Sequence, residues 1–416
     1  MSALIVTSKI NEHRLWKTLM ELAEIGASPN KEEGVTRLSL TKEELEAKQY
    51  IIQLMKDIGL EVRMDAVGNV IGKLLGTDPL ASSVMVGSHT DTVFHGGRFD
   101  GSLGVLGAIE AVRTIKEANM KLKHSIEVVS FTDEEGSRFG TGYIGSKAMA
   151  GVLKEETFEL KDKSGVSYRE AFLHAKLDPT KYKEAIRKPE EIKAYIEMHI
   201  EQAKVLEESD LSVGIVTDIQ GPVWLDVTLV GDADHAGATP MTMRKDASIA
   251  MAEVMIEVEK IAQCHGGVGT VGYVKVEPGG VNIIPGKASF TIDLRHVNKM
   301  ERSKMVKEIY QSVSKSCEKR MIEWHIDVKK EVDPTSCSPD IVKSLEEACI
   351  HLNFPVKKLQ CGAGHDSLIM SEITEMGMIF VRSKDGMSHN PKEWSSREDC
   401  ADGTALLFQS LIKLAK

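Results

Sequence analysis

Apolar side chains recur at helical spacing near the start of the chain, at Ile10, Leu15, Leu19 and Leu22, which predicts a helix within 9–25. A second helix is expected from Thr41, where Glu44 three places later completes a capping-box pattern, and it stops near Gly59. Short β-like runs follow at 60–64 and 83–86, then a helical stretch over 103–115 and an apolar strand at 126–131. Strands alternating with helices predict an α/β fold, with a mixed, largely parallel sheet flanked by helices. Over 224–230 and 288–295 the period changes to two, the mark of strands with one solvated face, and helical patterns occupy 247–261 and 300–319. The middle of the chain therefore reads as a separate, smaller α+β unit. It is expected at about 213–329, inserted in a discontinuous domain made of 1–212 and 330–416. Beyond Pro334 the pattern returns to helix, an apolar strand at 378–381 and a final helix from about Arg397.

Length and charge narrow the possibilities. At roughly 100–200 residues per domain, 416 residues predict two or three domains. A formal net charge of −10 argues against nucleic acid or an anionic membrane as a general partner, because either would be repelled by the overall field. The six cysteines, Cys264, Cys317, Cys337, Cys349, Cys361 and Cys400, form no CxxC pair, so neither a disulfide framework nor a thiolate zinc cluster is expected. The apolar run Ala3-Leu4-Ile5-Val6 is shorter than the about 7–15 residues of a secretory signal, and no stretch of about 18 apolar residues occurs. A soluble, cytoplasmic protein is the expectation.

Several short segments carry chemistry. Gly87-Ser88-His89-Thr90-Asp91 follows an apolar run, and alternation along extended chain points His89 and Asp91 the same way, as for a metal ligand and its orienting carboxylate. A turn in which the two merely bond each other is the alternative. Asp100, in Phe99-Asp100-Gly101, is either an ordinary helix N-cap or a carboxylate that bridges two cations. Asp133-Glu134-Glu135 leaves the strand at 126–131. Three consecutive carboxylates repel and call for a positive partner, unless they form a solvated acidic loop. In the functional alternative one glutamate ligates metal and its neighbour acts as general base. His199 and His389 complete a set of three imidazoles whose stoichiometry, with the carboxylates, suits two cations about 3.5–4 Å apart.

With these segments assembled, the chain resembles the M20 metallopeptidase-like superfamily and, within it, the hydantoinase/carbamoylase amidases. GSHTDTV (87–93), GGRFDG (96–101), FTDEEGSRF (131–139), MHIEQ (198–202), DHAGATPM (234–241), VNIIPG (281–286), GAGHDS (362–367) and SHNP (388–391) occur in the family's order. The resemblance implies His89, Asp100, Glu135, His199 and His389 as ligands of two divalent ions (Zn, Mn, Co or Ni), with Asp100 bridging. It implies Glu134 as general base and Asp91 as the residue that orients His89. It assigns contacts with a small carboxylate substrate to Gln202, His235, Asn282, Arg295 and Gly364, with His235 also polarising the scissile carbonyl. Family peptidases usually carry a carboxylate at the position of His199, so this histidine favours the amidase branch. The implied reaction is hydrolysis of an N-carbamoyl-L-amino acid, with allantoate or β-ureidopropionate as alternative ureido substrates. The inserted unit resembles a lid or dimerisation domain, which implies a homodimer.

Overall fold

The computed structural model describes residues 10–416; the apolar run at 3–6 lies outside them. The chain divides into two compact units, Met1–Thr217 with Cys337–Lys416, and Asp218–Ser336. Sequence patterning puts the insertion at 213–329, and both boundaries need correction. Val213–Ile219 is one strand that pairs antiparallel with Met376–Val381 in the large sheet, so the chain leaves that unit only near the strand's end. Glu323–Glu331 is likewise one strand of the smaller sheet, which a boundary at 329 would cut.

The first unit is built on a mixed sheet whose four central strands run parallel, in the order Ile126–Phe131, Ser83–His89, Ile192–Ile200 and Met376–Val381. Antiparallel strands flank them, Val70–Leu74 on one side and Val213–Ile219 on the other. Every position of three of these central strands is buried, and all but one of the fourth, Ile192–Ile200, as expected where helices cover both faces of a parallel sheet. Helix Ser102–Glu117 packs directly on the sheet and is buried along most of its length, with helices Glu12–Glu24 and Arg397–Leu414 against it. Gly104 permits the close approach, because a Cβ there would run into the carbonyl of Met198.

The second unit is a four-stranded antiparallel sheet in the order Glu323–Glu331, Gly221–Val230, Lys287–His296, Val268–Glu277. The two inner strands alternate as expected. Val223, Leu225, Val227 and Leu229, with Ala288, Phe290, Ile292 and Leu294, face helices Ala247–His265 and Lys299–Glu318 and form one core with them. Among the described residues no helix is long and apolar enough to cross a membrane.

Candidate active site

The connectivity of the central strands creates a crevice. From Ser83–His89 the chain adds its next central strand, Ile126–Phe131, on one side and Ile192–Ile200 on the other, so the order reverses between the first and third of these. Such reversal points, at the carboxyl ends of parallel strands, are where open α/β sheets receive ligands. His89 ends one bordering strand and His199 lies near the end of the other, their rings 5.9 Å apart.

Asp100 sits between them. Gly101, with φ 61°, takes the N-cap position of helix Ser102–Glu117, so Asp100 does not serve as the cap and its carboxylate faces the histidines. Its Oδ1 is 3.5 Å from His89 Nε2 and 3.1 Å from His199 Nε2. Its Oδ2 is 3.7 Å from His389 Nε2, which in turn lies 3.4 Å from Glu135 Oε2. Two potential ligand groups result, His89 with Asp100 and His199, and Asp100 with Glu135 and His389. They share one carboxylate through its two different oxygens.

The donors suit cations. His89 Nδ1 and His199 Nδ1 lie 3.1 and 3.0 Å from the main-chain carbonyls of Asp91 and Ile200, which can only accept, so each Nδ1 carries the proton and each Nε2 is an acceptor toward Asp100's turn, that of His199 also taking the Gly101 amide at 3.1 Å. The charges agree. Burial, reinforced by Asp100, pushes the Glu135 carboxyl well above its ordinary value. Burial also raises Glu134, and Glu135 adds to the effect against the pull of His89. Asp100, by contrast, is held well below the carboxylate range by His199 and His89 despite its burial. The cluster is short of positive charge, which a bound cation would supply.

Asp91 contributes more than an orientation of His89. Its carboxylate lies 3.7 Å from His89 Nδ1, whereas its carbonyl makes the closer contact. The carboxylate instead accepts the amides of Glu134 and Glu135, each at 3.2 Å, and so aims the turn that carries both glutamates. Asp133 turns inward and bonds the Tyr168 hydroxyl. The nearest partners of this acidic turn are imidazoles, His89 at 3.8 Å from Glu134 and His389 at 3.4 Å from Glu135. Backbone strain gathers here, since Asp133, Tyr143, Gln202 and His389 all hold positive φ between 53° and 61°. Non-glycine residues pay about 1–3 kcal/mol each for such conformations, which persist where surrounding packing enforces them.

A family model described as peptidase family M20/M25/M40 matches residues 85–413. The chain belongs to this family. It is 47% identical over 408 residues to the N-carbamoyl-L-amino acid amidohydrolase of Geobacillus stearothermophilus, covering 98% of this chain and 99% of that one. A ureidoglycolate hydrolase of Arabidopsis thaliana is 38% identical, over 95% of this chain and 85% of the relative. Among solved structures, a hydantoinase/carbamoylase family amidase from Burkholderia multivorans superposes with a TM-score of 0.93 at 34% identity, covering 98% of this chain and 99% of that one.

In this M20/M25/M40 chain, the residues expected to touch substrate fall into two sets. Gln202 and Gly364 lie in the first unit. Gln202 Nε2 donates to Asp100 Oδ2 at 2.8 Å, and Gly364 leaves room for the Tyr143 hydroxyl, which a Cβ would strike. His235, Asn282 and Arg295 lie in the second unit. His235 is exposed and its Nδ1 accepts the amides of Gly237 and Ala238, so it is a turn histidine with Nε2 facing away from that turn. Asn282 accepts the Ala236 amide through its carbonyl, closing the same turn. Arg295 is half-buried on its strand and bonds Asp293 through Nε and Nη2.

Sequence reasoning missed four neighbours of the cluster. His365 packs against His199 with ring centroids 4.3 Å apart and planes tilted by 54°, and burial, with His199 adding to it, holds its pKa well below the ordinary imidazole value. Glu197 accepts hydrogen bonds from Ser88 and Ser367 beneath the crevice. Ser388 donates to Asp100 Oδ2, and Glu393 accepts the amides of Phe99 and Asp100. Signals existed for His365, inside GAGHDS, and for Ser388, inside SHNP; Glu393 had none beyond its place four residues after His389.

Proposed function

We propose that the chain is a di-metal amidohydrolase that cleaves the carbamoyl C–N bond of N-carbamoyl-L-amino acids, yielding the L-amino acid, carbon dioxide and ammonia. One observation carries the reading: two ligand groups share Asp100 through opposite oxygens, with the unshared glutamate Glu134 beside them. His89, Asp100 and His199 would hold one cation, and Asp100, Glu135 and His389 the other. When bound, two divalent ions supply Lewis acidity toward the ureido carbonyl and bring the pKa of a water down toward about 7. Mixed imidazole and carboxylate donors suit Zn, Mn, Co or Ni.

Glu134 takes the proton of the attacking water and delivers it to the departing nitrogen. Its burial and the adjacent Glu135 raise its carboxyl, which makes it a stronger base than an ordinary glutamate. His235 Nε2 is assigned to the scissile carbonyl, where it stabilises the developing oxyanion. Arg295 is assigned to the substrate's α-carboxylate, which its planar fork fits bidentately. Gln202, Asn282 and Gly364 complete the substrate contacts. A homodimer joined through Asp218–Ser336 agrees with the exposed edge strand Val268–Glu277, on which Val268, Tyr273 and Val274 face outward.

A second reading, hydrolysis of another ureido acid such as ureidoglycolate or allantoate by the same residues, is favoured by the likeness to a ureidoglycolate hydrolase. The two separate in a panel of N-carbamoyl-L-methionine, N-carbamoyl-β-alanine, ureidoglycolate and allantoate, assayed with added Mn²⁺, Co²⁺ or Zn²⁺ and with metal counted in the same preparation. N-carbamoyl-L-methionine should show the highest kcat/KM. A metal-loaded, folded protein that leaves all four intact sinks the proposal.

A further inference from the structure

The two ligand groups are not built alike. His89 and His199 stand on buried central strands, whereas the His389 side chain is 51% exposed and its backbone holds a left-handed φ of 54° on a loop. A loop histidine cannot keep a ligating position by itself, so something must tie 388–394 to the turn that carries Asp100.

Glu393 makes that tie. It is 1% exposed, and its Oε1 accepts the amides of both Phe99 and Asp100, at 2.8 and 3.0 Å. Its Oε2 lies 3.1 Å from Ser388 Oγ, and Ser388 also reaches Asp100 Oδ2, the oxygen that faces His389. Gly97 leaves the space that the Glu393 carboxyl fills, since a Cβ there would overlap it. Next to Glu393, Trp394 packs edge-on against Phe99 and Trp16, at 5.5 and 5.3 Å. One loop thus grips the other by a buried carboxylate, a hydroxyl and an aromatic wedge.

We propose that Glu393 and Ser388 are positioning residues that hold His389 and the outer oxygen of Asp100 in register, so that occupancy of the second cation site depends on them while the first does not. The inference rests on the two-cation reading above. In the first group His89 and His199 are placed by strands Ser83–His89 and Ile192–Ile200 without the clamp, which touches only their shared partner Asp100, whereas in the second group both Asp100 Oδ2 and the loop of His389 depend on it. Chemistry also sets the acceptable replacements. Glutamine at 393 still offers one oxygen to the two amides, and its NH₂ donates to Ser388 Oγ, freeing the hydroxyl proton for Asp100. Alanine offers nothing and leaves two buried amides unpaired.

The test counts metal in the full-length protein. Samples loaded with Zn²⁺ are titrated with dipicolinate, and ions per chain are measured by plasma mass spectrometry, with far-UV circular dichroism as the check of folding. The unsubstituted protein should hold two ions. Glu393→Ala and Ser388→Ala should lose one ion at a chelator concentration at least tenfold lower and keep the other unchanged, whereas Glu393→Gln should follow the unsubstituted protein. Loss of both ions in parallel, or of neither, in folded variants overturns the clamp. If Glu393→Ala fails to fold, Ser388→Ala, which removes only a hydroxyl, decides alone. An unsubstituted protein that never holds two ions refutes the two-cation reading itself, and this inference with it.

Discussion

Glu134 and Glu135 are adjacent in sequence and differ in what surrounds them. Glu135 approaches His389 at 3.4 Å and joins a ligand group with Asp100. Glu134 belongs to neither group, which is why the proposed reaction gives its carboxylate the proton transfer. Glu134→Gln should therefore lower kcat by about 10²–10⁴-fold, the usual worth of a positioned general base, and leave ions per chain unchanged. Turnover near that of the unsubstituted protein would remove Glu134 from the role, and loss of metal would make it a ligand. The position of the two glutamates after an apolar strand suggested that one ligates and its neighbour acts as base, and the family resemblance alone said which is which. Ser388 and Glu393 escaped sequence reasoning because their work lies at Asp100, some 290 residues away in the chain, where no local pattern reaches.

At the scale of elements, period decided what could be read. Gly221–Val230 and Lys287–His296 each bury one face and alternate cleanly, so their existence followed from polarity alone. Val268–Glu277 did not, since it carries Gly269 and Gly272, is half-exposed or exposed throughout, and slips register between Val271 and Val274. Nor did Ile192–Ile200, whose apolar run is interrupted by Lys193, Glu197 and His199. The two helices of the second unit are joined by a feature no pattern could reveal. His265, in the last turn of Ala247–His265, places Nδ1 and Nε2 at 3.0 Å from Glu301 and Glu308 on the neighbouring helix. Both nitrogens must donate, which requires the imidazolium, and the bonds to Glu301 and then Glu308 raise its pKa above 6.5. A group with a raised folded pKa stabilises below its unfolded value, near 6.5, and loses that contribution as pH climbs through the folded value. His265→Gln should thus lower Tm more at pH 6 than at pH 9. An equal or larger loss at pH 9 would show that the pair of ionic hydrogen bonds contributes nothing.

At the scale of the whole molecule, the insertion was legible as a change of period, and its ends were not, because Val213–Ile219 belongs to the large sheet for most of its length. The point where the chain enters and leaves the second unit has its own logic. Ser336 pairs with Asp218 and Thr335 with Ile219, and the Ser336 hydroxyl donates to Asp218 at 2.7 Å, so the two ends lie side by side. Adjacent ends are what let a folded unit be inserted in a loop of another without opening either. The core of Asp218–Ser336 is also its own, running from Val223 to Ile322 without a residue of the first unit, and Arg320, just past helix Lys299–Glu318, ties that helix to Ala247–His265 by bonding Glu253 at 2.6 Å. A unit of this length buries enough surface to fold alone. The fragment 218–336, expressed by itself, should therefore unfold in a single cooperative transition and show no turnover, since both ligand groups found among the described residues lie outside it. A fragment that binds hydrophobic dye and melts without cooperativity would mean that the core shown by its sheet and helices needs the first unit to form, and that the chain folds as one body.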